Sequence, residues 1–248
     1  MLTQADIKLI NSLKMNKIRN KMGLFLVEGP KMVNELINYP DFEIELIAGS
    51  KKWLDSQISL PNFSPKEISE KALQKLSNFS TANEVLVIVK MPKYDAFATR
   101  KDSLYLVLDG IQDPGNMGTI IRTAEWFGIH EIICSHDTVD CFNPKVVQAT
   151  MGSLFRVKCR YEELPSFLEK QKIPIYGTLL NGKNIYQEQL SQSGFIVIGN
   201  ESKGVSEDLQ KLITHPLFIP SYADSKAESL NASIATAIVC AEFRRKSN

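Results

Sequence analysis

The sequence predicts an α/β protein with a mainly parallel sheet in its longer, C-terminal part and a small α/β domain before it. Between residues 104 and 245, short apolar runs alternate with amphipathic helical segments, as in parallel sheets covered on both faces. Several of these runs end in loops rich in Gly, Asn and Ser, where such sheets bind their ligands. The polar, aperiodic stretch 91–103 separates two segments that each look self-sufficient. We therefore predict domains at residues 1–95 and 96–248.

The first segment is predicted to fold as a small α/β domain. It begins with a helix from Thr3 to Leu13, because Ile7, Ile10 and Leu13 fall at helical spacing. Further elements are a strand at LFLVEG, a helix at PKMVNELIN, a strand at EIELIAG, a helix within KEISEKALQKLSN and a strand at EVLVIVKM.

A basic run follows the first helix and contains Lys14, Lys17, Arg19 and Lys21. Two interpretations stay open at this point. The run is either a solvated face beside a helix, or a loop that contacts the phosphates of RNA or DNA. Composition alone does not choose between them.

The second segment alternates more regularly. Strands are predicted at LYLVL, HEIICS, IPIYGTLL, GFIVIGN and HPLFIP. Helices are predicted at TIIRTAEWF, PKVVQATMGSLF, LPSFLEKQ, VSEDLQKLI and SLNASIATAIVCAEFRRK.

Composition excludes several classes of protein. The formal net charge of the 248 residues is +1, so any anionic partner must be held by a local patch. The four cysteines show no CxxC spacing and the three histidines form no metal-ligand pattern, which indicates buried thiols in a reducing cytoplasm and no metal. The first ten residues do not read as a signal peptide, and no apolar run approaches the roughly 20 residues that span a bilayer. We expect a cytoplasmic protein without a membrane partner.

The first of three unusual loops reads DGIQDPGNMG, residues 109–118. Its three glycines permit a tight turn, but their spacing matches neither the dinucleotide nor the P-loop motif. Asn116 falls near the start of the next helix. Arg122 lies about one turn further, where it either reaches back over the loop or is an ordinary surface arginine.

The other two loops read IGNESKG and IPSYADSKAESLNAS. In the first, Glu201 has two open roles, capping the next helix or holding a cation such as Arg122. In the second, Ser225 and Glu228 have capping-box spacing, and Ser229 is an alternative cap that would put Leu230 and Asn231 in the first turn.

Together, NMGTIIRTA, IGNESKG and IPSYADSKAESLNAS resemble the three ordered motifs of the SpoU family, the TrmH-like branch of the SPOUT class of RNA ribose 2′-O-methyltransferases. The resemblance covers roughly residues 104–245. The first segment, through FLVEGPKMVNELI and LSNFSTANEVLVIVKMP, is similar to the accessory RNA-binding domain of that family.

The resemblance implies a C-terminal trefoil knot that holds S-adenosylmethionine, a homodimer with the active site near its interface, and methylation of a ribose 2′-hydroxyl in ribosomal or transfer RNA. It implies a catalytic set of Asn116, Arg122, Glu201, Ser229 and Asn231. It implies cofactor contacts from Thr178, Gly199, Ile219 and Leu230. If the first segment binds RNA, the basic run supplies the predicted RNA contacts: Lys14, Lys17, Arg19 and Lys21. One departure is Gln148, where many members have arginine.

These residues suit methyl transfer in specific ways. Arginine has a pKa of about 12.5 to 13.8 and keeps its proton, so we predict that Arg122 clamps a phosphate and stabilises the developing alkoxide. Asn116 is expected at the ribose edge, and Glu201 as the organiser of Arg122. The alternatives are an inactive RNA-binding module of the same fold and a nicotinamide-dependent oxidoreductase using Asp137. The absent GxGxxG motif disfavours the oxidoreductase.

Overall fold

The computed structural model describes residues 2–57, 63–81, 83–223, 225–227 and 229–245. The chain forms two compact units. Unit 1 comprises residues 1–94 and 140–155, and unit 2 comprises residues 95–139 and 156–248. The first division falls beside the predicted boundary at residue 95. Residues 140–155, however, pack in unit 1, although they were assigned to the second domain. The domain limits themselves stay a prediction.

Ten strands and ten α-helices occur in the described part of the chain. The strands are β1 (Leu24–Glu28), β2 (Ile44–Gly49), β3 (Lys66–Glu67), β4 (Val85–Lys90), β5 (Leu104–Asp109), β6 (Glu131–Cys134), β7 (Lys158–Tyr161), β8 (Ile175–Asn184), β9 (Gly194–Gly199) and β10 (His215–Phe218). The helices are α1 (Gln4–Ser12), α2 (Asn16–Met22), α3 (Pro30–Leu36), α4 (Lys51–Ser56), α5 (Glu70–Leu76), α6 (Pro114–Trp126), α7 (Pro144–Thr150), α8 (Leu164–Leu168), α9 (Glu207–Gln210) and α10 (Ala232–Arg244). Two 3-10 turns cover Ser153–Phe155 and Ile185–Gln187.

Unit 1 is built on a four-stranded sheet in the order β1-β4-β2-β3. Strand β4 pairs antiparallel with both β1 and β2, whereas β3 pairs parallel with β2. The continuous apolar sequence of β4 fits its central place, because Val85 through Val89 are all buried. Helix α4 was not predicted. It begins where the Ser50 side chain accepts a hydrogen bond from the Trp53 amide.

The segment 140–155 packs in unit 1 through aromatic side chains. The Phe142 ring lies 4.6 Å from that of Phe25, and the Phe155 ring lies 5.2 Å from that of Phe42. The single helix predicted over PKVVQATMGSLF is interrupted after α7, because Met151 and Gly152 have φ angles of 51° and 99°. These contacts, which join residues more than 100 positions apart, explain why the local pattern did not reveal the packing.

Unit 2 contains the predicted parallel sheet. Its six strands lie in the order β10-β8-β9-β5-β6-β7, and every neighbouring pair is parallel. The parallel α/β prediction is confirmed. Strand β7 was missed because it is a four-residue edge strand whose Lys158 and Arg160 interrupt any apolar run. Because all strands run in one direction, the loops after β5, β8, β9 and β10 leave the same edge of the sheet.

Helices α6 and α10 lie side by side and parallel in unit 2. Near their first turns the Asn231 side chain bonds to Asn116, and near their last turns Arg244 Nε donates to the Phe127 carbonyl over 3.0 Å. The pairing of α6 with α10 therefore brings the first and third loops to one place.

Among the described residues, no helix has both the length and the hydropathy that a membrane span requires.

Candidate active site

The candidate site is positioned by the first turns of α6 and α10. Asp113 caps α6, since its Oδ1 accepts from the Asn116 amide over 2.8 Å. Asn231 caps α10, since its Oδ1 accepts from the Ser233 and Ile234 amides. The caps considered for α10, Ser225 and Ser229, are therefore incorrect, because the helix begins after them. Glu228, the partner of Ser225 in the predicted capping box, lies outside the described residues.

Three side chains from the three loops form one hydrogen-bonded network. Asn116 Nδ2 donates to Glu201 Oε1 over 2.8 Å, and Asn231 Nδ2 donates to Asn116 Oδ1, also over 2.8 Å. Asn116 is 9% exposed. Both ends of its amide are thus engaged inside the protein, which leaves one N–H for any outside partner. The geometry favours Asn116 as the residue that holds the loops together over a primary role at the ribose edge.

Arg122 stands apart from this network. It is exposed on α6, on the face that also carries Gly115, Thr119 and Trp126. Within the described ranges its side chain makes no hydrogen bond or ion pair. The predicted contact between Glu201 and Arg122 is not formed, because the Glu201 carboxylate bonds to Asn116, about 9 Å along the helix axis from Arg122. No residue in the described part of the chain therefore occupies the guanidinium, which can bind an anion there.

The loop after β9 is closed by a residue that the sequence argument missed. Asn200 Oδ1 accepts from the Ser202 and Lys203 amides over 3.0 and 3.1 Å, and Asn200 Nδ2 donates to the Gly110 carbonyl over 2.6 Å. Asn200 therefore ties the loop after β5 to the loop after β9. The signal that could have identified it is an asparagine directly after a buried strand, where its side chain commonly bonds to backbone two residues on.

The candidate cofactor residues lie on or after three neighbouring strands and in the loop before α10. Thr178 follows the last residue of β8 that pairs with β9, and Gly199 ends β9. Ile219 comes directly after β10, and Leu230 precedes the cap of α10. Thr178 Oγ1 donates to the Val197 carbonyl over 3.2 Å. The strand order β10-β8-β9 places Thr178, Gly199 and Ile219 on or directly after neighbouring strands.

Two glycines in this region have no room for a side chain. A Cβ on Gly199 would lie 2.2 Å from the carbonyl carbon of Gly204, and a Cβ on Gly182 would lie 2.5 Å from backbone of Leu217. Strand β8 is also irregular here, because its pairing with β10 jumps from Gly177 to Lys183. Backbone thus approaches backbone closely around the candidate cofactor residues, as a site lined by main-chain atoms requires.

The remaining candidates differ in exposure. Ser229 is exposed in the loop before α10. Lys14, Lys17 and Lys21 are exposed in unit 1, but Arg19 is 1% exposed and forms an ion pair with Asp140 at 2.5 Å. The prediction that Arg19 contacts RNA is therefore wrong, because its guanidinium is buried against a carboxylate.

Among the described residues, the cysteines and the possible metal ligands do not form a second candidate site. All four cysteines are buried, and burial raises the pKa of the Cys240 thiol to about 12. No cluster of three or more His, Cys, Asp or Glu residues suited to a metal occurs in the part of the chain that the structure describes.

Comparison with known proteins decides the family. The sequence model of the SpoU rRNA Methylase family matches residues 103–241, more than half of the chain, and that of the MRM3-like substrate binding domain matches residues 4–87. This chain belongs to the SpoU rRNA methylase family. The resemblance noted in the three loops is thereby confirmed.

Relatives within the SpoU family are similar over most of their length. The chain is 32% identical over 232 residues to the 23S rRNA (guanosine(2553)-2′-O)-methyltransferase RlmP of Bacillus subtilis (strain 168), which covers 92% of this chain and 91% of that protein. It is 28% identical over 246 residues to the 23S rRNA (uridine(2479)-2′-O)-methyltransferase of Streptomyces viridochromogenes. That match covers 92% of this chain and 85% of the relative. These names are those of active enzymes, so the alternative of an inactive module has no support.

Solved structures of SpoU relatives share the whole fold. The SpoU methyltransferase AviRb from Streptomyces viridochromogenes in complex with the cofactor AdoMet is 26% identical, with a TM-score of 0.86 and coverage of 99% of this chain and 98% of that chain. The AdoMet-bound rRNA methyltransferase from Sinorhizobium meliloti is 27% identical, with a TM-score of 0.87 and coverage of 99% and 96%. Both contain the same cofactor.

Proposed function

We propose that this chain transfers a methyl group from S-adenosylmethionine to a ribose 2′-hydroxyl of ribosomal RNA. One observation carries the proposal. The Asn116–Glu201–Asn231 network joins the three family loops at the edge of the parallel sheet, with Arg122 exposed on the same helix as Asn116. Relatives named as 23S rRNA 2′-O-methyltransferases support ribosomal RNA as the substrate class.

The loops after β8, β9 and β10 fit the cofactor. We assign it to Thr178, Gly199, Ile219 and Leu230, because the first three lie on or directly after neighbouring strands and the close backbone packing around Gly199 leaves main-chain groups to line the site. The exposed side chains of Leu180 and Leu230 supply apolar surface beside these groups. When bound, S-adenosylmethionine supplies an electrophilic methyl carbon, so the protein needs to supply position and electrostatics.

The acceptor side is assigned to Arg122 and Ser229. The 2′-hydroxyl loses its proton as it attacks, and negative charge develops on its oxygen. Arg122 is an exposed cation that can bind the adjacent phosphate through two N–H groups and stabilise that oxygen. It keeps its own proton, which leaves phosphate or water as the proton acceptor. Asn116, Glu201 and Asn231 hold the loops that carry these groups.

The proposal further includes an N-terminal RNA-binding part, a trefoil knot in unit 2 and a cytoplasmic location. The match of residues 4–87 to a substrate binding domain supports the first. The irregular pairing of β8 with β10, where Gly182 meets backbone of Leu217, is where the chain would pass through itself. Ribosomal RNA as substrate supports the cytoplasm.

The acceptor atom is tested directly on RNA. The enzyme is incubated with a 23S rRNA transcript and S-adenosylmethionine labelled in its methyl group, and the label is mapped to one nucleotide. A synthetic fragment around that nucleotide then carries hydrogen in place of the 2′-hydroxyl. We expect labelling of the unmodified fragment and none of the 2′-deoxy fragment, with binding largely retained, because the nucleophile is missing. Label recovered on the base of the deoxy fragment would contradict the proposal.

The homodimer is supported by apolar side chains on the exposed faces of α6 and α10. Trp126 is 85% exposed and Ile234 is 51% exposed, so both large apolar side chains are available to a partner subunit. We expect light scattering to give twice the mass of one chain, and Trp126→Asp together with Ile234→Asp to give the monomer mass. A matched control is Tyr186→Asp, since Tyr186 is 50% exposed but lies outside both helices. A double variant that keeps the dimer mass would exclude this interface.

A further inference from the structure

Arg19 lies inside the basic segment, which we define as residues 14–21, yet it is buried. Its Nη1 donates to the carbonyls of Leu13 and Lys14, both over 3.0 Å. Its Nε and Nη2 donate to Asp140 Oδ2 over 2.9 and 2.5 Å. One guanidinium thus makes four hydrogen bonds within unit 1. The planar guanidinium can donate to the two carbonyls on one side and to the Asp140 carboxylate on the other. A lysine ammonium is less suited to this geometry.

The two carbonyls that Arg19 binds belong to the turn between α1 and α2. Helix α1 ends at Ser12 with Leu13 as its cap, and α2 begins at Asn16. Carbonyl groups at the end of a helix lack partners within the helix. By binding them, Arg19 ties the second helix to the end of the first. This fixes the turn that carries Lys14 and, through α2, the direction of Lys17.

Asp140 is itself held in place. Its Oδ1 accepts from the Phe142 amide over 2.8 Å, and its carbonyl accepts from the Asn143 amide over 2.9 Å. The same aspartate therefore organises the start of segment 140–155 and anchors Arg19. A buried cation that loses its partner is strongly unfavourable, so the position of Arg19 depends on Asp140.

The exposed lysines of the basic segment are not neutralised by the protein. Four other lysines of unit 1 form ion pairs with carboxylates: Lys51 with Asp55, Lys52 with Glu84, Lys66 with Asp6 and Lys90 with Glu43. Further lysines of the unit that are unpaired among the described residues, such as Lys31 and Lys71, do not cluster on one short segment. Within the described ranges Lys14, Lys17 and Lys21 have no such partner, and Lys14 only donates to the Ser77 carbonyl over 3.4 Å. Three unpaired cations on one short segment suit contacts with phosphates.

We infer that Arg19 is a positioning residue for RNA binding: with Asp140 it holds the basic segment so that Lys14, Lys17 and Lys21 meet phosphates together. The inference rests on the proposed role of unit 1 as the RNA-binding part. Arg19 then contributes to RNA binding by positioning the neighbouring lysines, and it does not contact the RNA itself.

The test uses the full chain and a 23S rRNA transcript, with the dissociation constant measured at several salt concentrations. Each of Lys14→Ala, Lys17→Ala and Lys21→Ala should weaken binding roughly tenfold at 0.1 M salt and lower the salt slope by about 1. Arg19→Lys keeps the charge but should weaken binding by a similar factor. In a background that lacks the three lysines, Arg19→Lys should have no further effect. Amide exchange of residues 13–17 should accelerate in Arg19→Lys.

Matched controls separate positioning from general damage. Lys51→Ala removes an exposed, paired lysine of the same unit and should leave RNA binding unchanged. Asp140→Asn keeps the shape of the anchor, so it provides a second variant if Arg19→Lys folds poorly. Folding is checked by thermal unfolding and by S-adenosylmethionine binding.

Each contrary result has a distinct meaning. If the Arg19→Lys and Asp140→Asn variants bind the RNA normally, the positioning role is overturned. The positioning role would also be overturned if Arg19→Lys weakened RNA binding by the same factor in the background that lacks the three lysines, since that result indicates direct contact of Arg19 with RNA. Normal binding by the triple lysine variant would overturn both the inference and the RNA-binding role of this segment. Methyl transfer measured on the same samples would still test the proposed reaction independently.

Discussion

Arg122→Ala should lower methyl transfer by about 100- to 1,000-fold while S-adenosylmethionine binding changes by no more than a few-fold. The magnitude is that of removing one group that stabilises developing negative charge, about 2.7–4 kcal/mol. Arg122 is exposed and unpaired within the described part of the chain, so its loss breaks no internal contact there. The residues proposed for the cofactor, in contrast, lie on other elements of the unit, on or after β8, β9 and β10 and before α10. Single-turnover transfer and calorimetric cofactor binding measure the two effects separately.

Two variants sharpen the test of Arg122. Arg122→Lys keeps the charge but not the planar fork, and we expect it to recover only a small part of the activity. Arg245→Ala removes an exposed arginine of unit 2 that pairs with Glu242, and it should leave transfer unchanged. Near-normal turnover in Arg122→Ala would remove this residue from the acceptor side.

Asn116→Asp should reduce transfer by roughly 30- to 160-fold, and adding Glu201→Gln should restore much of it. The single change replaces the Asn116 N–H group that donates to Glu201 with a second carboxylate. This loses a partly buried, charge-assisted hydrogen bond worth about 2–3 kcal/mol and brings like charges together. In the double variant the donor and acceptor exchange places. The bond from Asn231 Nδ2 is compatible with both variants, because a carboxylate oxygen also accepts it.

The rescue distinguishes a network role from direct catalysis. If Glu201 acts only by holding Asn116, the double variant should exceed Asn116→Asp alone in rate by about tenfold or more. Glu201→Gln alone should cost less than Asn116→Asp, since an amide oxygen still accepts from Asn116. If the double variant is as poor as the worse single variant, the charge of Glu201 itself is needed at its place, and the organising role assigned to it is incorrect.

The parallel sheet and the meeting of the loops could be predicted from the sequence. Continuous apolar runs, LYLVL at 104–108 and FIVI at 195–198, indicate strands buried on both faces. Parallel strands place their carboxyl ends at one edge, so loops far apart in the chain converge. That Asn116 and Glu201 lie in one site follows from this rule, and the 2.8 Å contact between them agrees with it.

Atomic partners could not be predicted in the same way. Whether Glu201 meets Arg122 or Asn116 depends on which face of α6 turns toward the loop after β9, and packing against α10 decides that. The cap of α10 was also ambiguous, because Ser225, Ser229 and Asn231 are all residue types that cap helices. Only the place where the backbone becomes helical selects Asn231.

Local patterns of residue types were enough to predict most of the strands and helices, the three polar loops and the basic run. Long-range packing determines that residues 140–155 belong to unit 1 and that Arg19 is buried while its neighbouring lysines are exposed. The physical reason is the same for both. Arg19 is neutralised by Asp140, which is 121 positions away along the chain, and Phe142 packs against Phe25. A local sequence pattern carries no information about a partner so far away along the chain.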